Sequence, residues 1–179
     1  ERGKAKDRKL IPIKNTRTLS SKLKVIPQIL KENGYVTCHA GKWHLSDDPK
    51  TFGFDVNIGG SHAGFPKSYY PPYKNVVVEK GENSYLTDLI TEKAMLFIQN
   101  SQQPFFLYYS PYAVHLPINP VKELLPKYTS KIPHNGQGNA KYATMVENLD
   151  RNIGLLLNSL KDPNTLIIFT SDNGGLYGI

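Results

Sequence analysis

The sequence predicts an α/β domain with a mixed, largely parallel sheet flanked by helices. Two observations predict it. Segments of helical periodicity alternate with strand-like apolar runs, in the order helix, strand, helix, strand, helix, strand. Each strand-like run then ends in a cluster of polar residues, at the position where open α/β sheets hold their ligands.

Leu19, Leu23, Ile26, Ile29 and Leu30 recur at helical spacing, and Asn33-Gly34 supplies a stop signal, so residues 19–33 are expected to be helical, with Pro27 as a kink. Tyr35-Val36-Thr37-Cys38 follows as a short strand, and residues 41–75 as a loop rich in Gly, Pro, Asp and Ser. Residues 84–100 carry a stripe of Leu86, Leu89, Ile90, Ala94, Phe97 and Ile98 and predict a second helix. Phe105-Phe106-Leu107-Tyr108-Tyr109 is a continuous apolar run, the pattern of a buried strand. A Pro-rich loop over 111–138 is long enough to suggest function. Residues 139–160 predict the longest helix, with Val146, Leu149, Ile153, Leu156, Leu157 and Leu160 on its buried side. Residues 165–170, Thr-Leu-Ile-Ile-Phe-Thr, read as a buried strand.

Composition narrows the functional classes. The chain has 179 residues, 39% hydrophobic and 11% aromatic, which suits a globular domain with a core. No apolar run approaches the ~20 residues of a membrane helix. The formal charge of +7 is concentrated in residues 1–25, which hold nine Lys/Arg against Glu1 and Asp7, whereas the remainder is balanced. No aromatics interleave with those charges as they would in a single-strand binder, so the basic stretch, residues 1–18, is a solvated segment and no nucleic-acid partner is expected. A lone cysteine, Cys38, excludes an internal disulfide.

Three polar clusters follow the strands: Gly41-Lys42-Trp43-His44, Tyr112-Ala113-Val114-His115 and Ser171-Asp172-Asn173-Gly174-Gly175. A carboxylate and an amide carbonyl, Asp172 and Asn173, suit Ca2+ or Mg2+ rather than zinc. Taken by itself the same sequence is an ordinary Asx turn. Lys42 and His44 stand two apart, so an extended loop projects them to one side, where a cation can bind an anionic oxygen and an imidazole can move a proton. Trp43 between them reads as a packing anchor. His115, in an apolar setting, is equally the signature of a structural histidine. Ser61 and His62 lie in the flexible stretch Gly59-Gly60-Ser61-His62-Ala63-Gly64, which can approach a substrate. There is no nucleophile elbow, zinc-protease helix or Walker-type loop. The residues therefore support an anion-and-metal site without naming a reaction.

Gly34-Tyr35-x-Thr37-x-x-x-Gly41-Lys42-Trp43-His44-Leu45 resembles the second signature of the sulfatase family. Phe52-Gly53-Phe54-Asp55 before Gly59-Gly60, the run 104–108 leading to His115 and Pro117, the segment 142–150 and the strand ending in Asp172-Asn173-Gly174 follow in the family's order, so the likeness spans about residues 19–175. The resemblance implies an alkaline-phosphatase-like core, with residues 19–179 forming part of a catalytic domain. It implies hydrolysis of sulfate esters of sugars or glycans in a periplasmic, secreted or lysosomal setting. Asp172 and Asn173 would ligate one Ca2+ or Mg2+. Lys42 would bind sulfate oxygens, His44 would assist the nucleophile, His115 would contact sulfate and protonate the leaving oxygen, and Ser61 or His62 would touch substrate.

The departures bear on activity. The family's formylglycine arises in a Cys/Ser-x-Pro-x-Arg motif, whereas Cys38 is followed by His-Ala-Gly-Lys and no Ser-x-Pro-x-Arg occurs. The early Asp pair and the late Lys of the family are also missing, and are expected upstream and downstream of these 179 residues. The chain alone is therefore expected to be inactive. Two other readings stand beside the sulfatase: a phosphodiesterase or phosphonate hydrolase of the same superfamily, and a non-catalytic relic that binds anionic glycans. The Tyr-rich stretch with Tyr69, Tyr70 and Tyr73 is expected to form either a sugar-stacking wall or a packed surface loop.

Overall fold

In the computed structural model, residues 16, 18–20, 22–78, 84–102 and 104–175 are described. The basic segment 1–18 falls almost wholly outside them. Three strands, β1 (Val36–Gly41), β2 (Val56–Ile58) and β3 (Phe105–Ser110), form a parallel sheet in the order β2-β1-β3. Cys38 faces Val56 on one side and Leu107 on the other. The α-helices among the described residues are α1 (Ile26–Glu32), α2 (Leu86–Asn100), α3 (Leu125–Thr129) and α4 (Ala140–Asn158).

Alternation along the strands gives the sheet two different faces. Cys38, Ala40, Leu107 and Tyr109 join the apolar core with Leu86, Leu89, Ile90 and Ala94 of α2, which packs across all three strands. His39, Phe106 and Tyr108 point the other way, into an aromatic layer with Trp43, Phe52 and Phe54. Asp55 closes the start of β1. It accepts from the Thr37 amide and hydroxyl, each at 3.0 Å, and pairs with Lys31 of α1. Burial works against its charge, but those hydrogen bonds and the Lys31 cation hold the carboxyl below its ordinary value.

Helix α1 is shorter than the expected 19–33, because Pro27 lacks an N–H and fits the first turn of a helix rather than its interior. Gly34, at φ +84°, ends it: Gly34 N–H donates to Lys31 O and Tyr35 N–H to Leu30 O, the two bonds of a Schellman stop. Helices α2 and α4 match the expected bounds to within two residues. The buried side of α4 matches in part: Leu156 is buried and Leu149 packs against the core as expected, but Met145, Asn148 and Asn152 also face inward, while Val146 and Leu157 are exposed. The cause is a polar contact. Asn148 and Asn152 both donate to Asp88 of α2, at 2.8 and 2.6 Å, which keeps these two polar side chains on the buried side.

Three expectations are corrected. Residues 56–58, expected as loop, form β2. Strand β3 is only half-buried, with Tyr108 exposed. The segment 165–170 is not a buried strand: Leu166, Ile168 and Phe169 are exposed, and among the described residues no strand pairs with it. An apolar run becomes a strand only when a neighbour takes up its backbone N–H and C=O groups.

Candidate active site

Gly41 brings the ends of β1 and β3 together. Its φ of +115° is open to glycine alone, and a Cβ there would overlap the carbonyl oxygen of Ser110. The close approach lets Lys42 N–H donate to Ser110 O at 2.6 Å and Ser110 Oγ donate to Lys42 O at 2.7 Å. Lys42 is therefore fixed at the carboxyl edge of two adjacent parallel strands. Among the described residues no carboxylate pairs with its ammonium.

His44 follows, with a left-handed φ of 66°. A non-glycine residue in this region carries strain that the surroundings must hold, a condition concentrated at functional sites. Two contacts hold it: His44 N–H donates to Ser61 O at 2.8 Å, and the imidazole lies against Gly64. A Cβ on Gly64 would come within 2.6 Å of His44 Cε1. Trp43 turns back into the aromatic layer, against His39, Phe52 and Phe54, and donates from Nε1 to Ser46 Oγ at 2.7 Å, which makes it a packing anchor.

The loop after β2 supplies the second wall. Ser61 Oγ accepts from Ala63 N–H at 3.1 Å. His62 stands in solvent, with Nδ1 3.2 Å from Asp47 Oδ1. Phe65 lies flat on His115, centroids 5.5 Å apart and planes within 8°. His115 follows β3. Its N–H donates to Tyr112 O at 2.9 Å, and its carbonyl accepts from Tyr69 Oη at 3.0 Å. The Tyr112 hydroxyl donates to Gly59 O at 2.8 Å and so ties this loop to the one after β2. Burial pushes the Tyr112 phenol up to about 12, so it stays a neutral donor.

The structure thus brings Lys42, His44, Ser61, His62 and His115 onto three loops at one edge of the sheet, with Gly64 on His44 and Phe65 on His115. It does not bring Asp172 and Asn173 there. Both sit in the exposed segment after residue 170, in a local turn where Ser171 Oγ donates to Asn173 O at 2.6 Å. Their donor types fit a hard cation, but among the described residues no group of three or more His, Cys, Asp or Glu gathers around them. Cys38 is fully buried in the core, and burial pushes its thiol up to about 12, so it is no nucleophile at neutral pH.

Tyr69 and Tyr73 are core residues and form no sugar-stacking wall. Tyr69 stacks on Tyr85 at 5.3 Å, and Tyr73 donates to Ser84 O at 2.5 Å. Sequence reasoning passed over Ser110, Gly64 and Phe65. The signal for Ser110 was its place as the last residue of β3 opposite Gly41. Gly64-Phe65 carried only the weaker cue of a glycine beside an aromatic.

Residues 10–178 match the Sulfatase family. The chain belongs to that family. It is similar to the N-acetylgalactosamine-6-sulfatase of Canis lupus familiaris, 30% identical over 184 residues, which covers 84% of this chain and 32% of that one. It is also similar to a sulfatase of Formosa agariphila, 32% identical over 167 residues, 74% of this chain and 28% of that one. This sulfatase chain therefore spans about a third of the length of the curated relatives it matches. Among solved structures it resembles Ps i-CgsB in complex with k-i-k-neocarrahexaose, with a TM-score of 0.63 and 29% identity over 82% of this chain and 38% of that one. It also resembles BT4656 in complex with its substrate D-glucosamine-2-N,6-O-disulfate, with a TM-score of 0.51 and 33% identity over 65% of this chain and 24% of that one. These likenesses agree with the alkaline-phosphatase-like fold expected from the sequence. No described helix is long and apolar enough to cross a membrane.

Proposed function

We propose that this chain is part of a sulfuric ester hydrolase acting on sulfated sugars or glycans, and that it carries the sulfate-binding and proton-transfer side of the active site. The observation that carries the reading is the dipeptide Gly64-Phe65, which touches His44 on one side and His115 on the other, beside a Lys42 fixed at the ends of β1 and β3. The relatives support the substrate class, since two of the solved structures hold a neocarrahexaose and a glucosamine disulfate.

In this reading the Lys42 ammonium binds a sulfate oxygen and favours the charge that develops on it. His44, with its main chain pinned by Ser61, moves a proton at the attacking group, and His115 gives one to the departing sugar oxygen. Ser61 or His62 contacts substrate from the neighbouring loop. Asp172 and Asn173 are the ligands this chain would offer to Ca2+ or Mg2+; such an ion, when bound, polarises the sulfate and orients it. Residues 1–179 contain no Cys/Ser-x-Pro-x-Arg for a formylglycine, so the 179-residue chain by itself is expected to show no turnover. A lysosomal, periplasmic or secreted location fits the substrate class.

The test measures sulfate released from a monosaccharide sulfate by the full-length protein, beside hydrolysis of an activated phosphate diester. Sulfate release should dominate, and Lys42→Ala or His115→Ala should each lower kcat/KM by roughly 100-fold. Faster cleavage of the diester would move the protein to the phosphodiesterase reading.

A further inference from the structure

We propose that Phe65 is a specificity-determining residue that, offset beside His115, forms the apolar platform on which the sugar ring bearing the ester stacks; this rests on the reading of Lys42, His44 and His115 as a sulfate site. A single exposed aromatic is ordinary on a protein surface. Phe65 differs in three respects. Phe65 is 48% exposed although the main chain that leaves it is fixed: Asn75 Nδ2 donates to Phe65 O at 2.9 Å, Asn75 Oδ1 accepts from Lys67 N–H at 2.7 Å, and the intervening Pro66 is buried. The ring is therefore held out by the fold and does not merely lack a place inside.

Its position is the second respect. One face lies flat on His115, and the preceding residue, Gly64, lies on His44, so a ligand reaching both histidines meets this ring. Thirdly, the apolar surface is local to the site. Leu45 follows His44, Leu116 follows His115, and both are exposed, so each histidine that Gly64-Phe65 touches has an exposed apolar neighbour in the chain. Such a surface fits an amphipathic ligand. A pyranose has C–H-rich faces that pack on an aromatic ring, while its hydroxyls stay solvated and its sulfate reaches the cation. Inorganic sulfate uses the cation alone. Of the three tyrosines that would compete for the platform role, Tyr69 and Tyr73 are buried, and Tyr70 packs edge-on against Tyr85 with its hydroxyl donating to Pro120 O at 2.9 Å.

The experiment uses the full-length protein and two probes, N-acetylgalactosamine 6-sulfate and inorganic sulfate, in wild type, Phe65→Leu and Phe65→Tyr. Wild type should bind the sugar sulfate more tightly than inorganic sulfate. Irradiating the aromatic protons should saturate the sugar-ring C–H signals. Phe65→Leu should weaken the sugar sulfate by roughly 3- to 10-fold and abolish that saturation, with inorganic sulfate unchanged, and Phe65→Tyr should restore both. Unchanged inorganic sulfate binding also shows that the leucine variant is folded. If Phe65→Leu weakens both probes alike, or neither, the platform role is overturned and the sulfate site survives. If wild type binds the sugar sulfate no better than inorganic sulfate, there is no platform. If it binds neither, the sulfate site itself fails and the platform falls with it.

Discussion

The Nε2 atom of His39 lies 3.2 Å from the carbonyl oxygen of Lys42, so a fully buried imidazole sits directly against the main chain of Lys42. Ser110 Oγ is 3.3 Å from the same nitrogen. Burial pushes His39 down to about 4, although the Lys42 carbonyl and the Asn57 side chain favour the proton. The neutral ring can donate one N–H, from Nε2 to Lys42 O.

That depression makes stability depend on pH. Between the ordinary value of 6.5 and about 4 the unfolded chain binds a proton at His39 that the folded chain does not. Stability therefore rises with pH through this window: the contribution is whole above 6.5 and is lost as pH falls towards 4, by up to about 3 kcal/mol. Denaturant midpoints at pH 7.5, 5.5 and 4.5 should show this acid limb in wild type and a flatter one in His39→Gln. Identical limbs would mean that His39 titrates normally.

Gly41→Ala places a Cβ on the Ser110 carbonyl at a φ of +115°. Both objections are to backbone, which cannot swing aside as a side chain can. The expected cost is roughly 3 kcal/mol or more, with the ends of β1 and β3 prised apart. A fall in denaturant midpoint together with loss of sulfate affinity is expected; a stable variant with normal affinity would contradict the close approach.

Asp88 is the acceptor for two buried amides, those of Asn148 and Asn152. Asp88→Ala leaves both donors without it and should cost about 2–4 kcal/mol. The triple change Asp88→Ala with Asn148→Leu and Asn152→Leu removes the orphaned groups as well and should recover part of the loss. Urea titrations read both, at equal m-values if the unfolded states are alike.

Gly64→Ala acts differently from Gly41→Ala. The nearest atoms are the His44 ring, the far end of a side chain, which can move. Stability should change little, within about 0.5 kcal/mol, while the displaced imidazole lowers kcat of the full-length enzyme by roughly 10-fold. A large loss of stability with normal kcat would reverse this assignment.

How much of this was legible in the sequence depended on whether a local pattern decided the outcome. The long helices and the two longer strands were, because their periodicity and stop signals are local. The buried face of α4 was legible only in part, at Leu149 and Leu156, because the rest depends on Asp88, some sixty residues away in the chain. Hydrophobicity assigned Val146 and Leu157 to the core, whereas two asparagines occupy it. The three-residue β2 was hidden because Val56 and Ile58 bracket a single polar residue, too short a run to show alternation. Strand pairing at 165–170 was beyond reach of composition, since an apolar run names no partner. In the site, Lys42, His44 and His115 could be placed at one sheet edge from strand order alone. The part played by Gly64 and Phe65 could not, because it depends on how one loop lies across two others.

The hydrogen bond from Lys42 N–H to Ser110 O carries the β1–β3 ladder one residue past the strand. The main chain beneath the candidate anion-binding cation is thus a continuation of the sheet and not a flap. Its amide should exchange with solvent only when the strands themselves part. The backbone at Lys42 has little conformational entropy left to surrender when an anion arrives, so it is preorganised, and more of each contact formed there remains as affinity. If Lys42 binds sulfate as proposed, the main chain at this residue need not move for the anion to be captured.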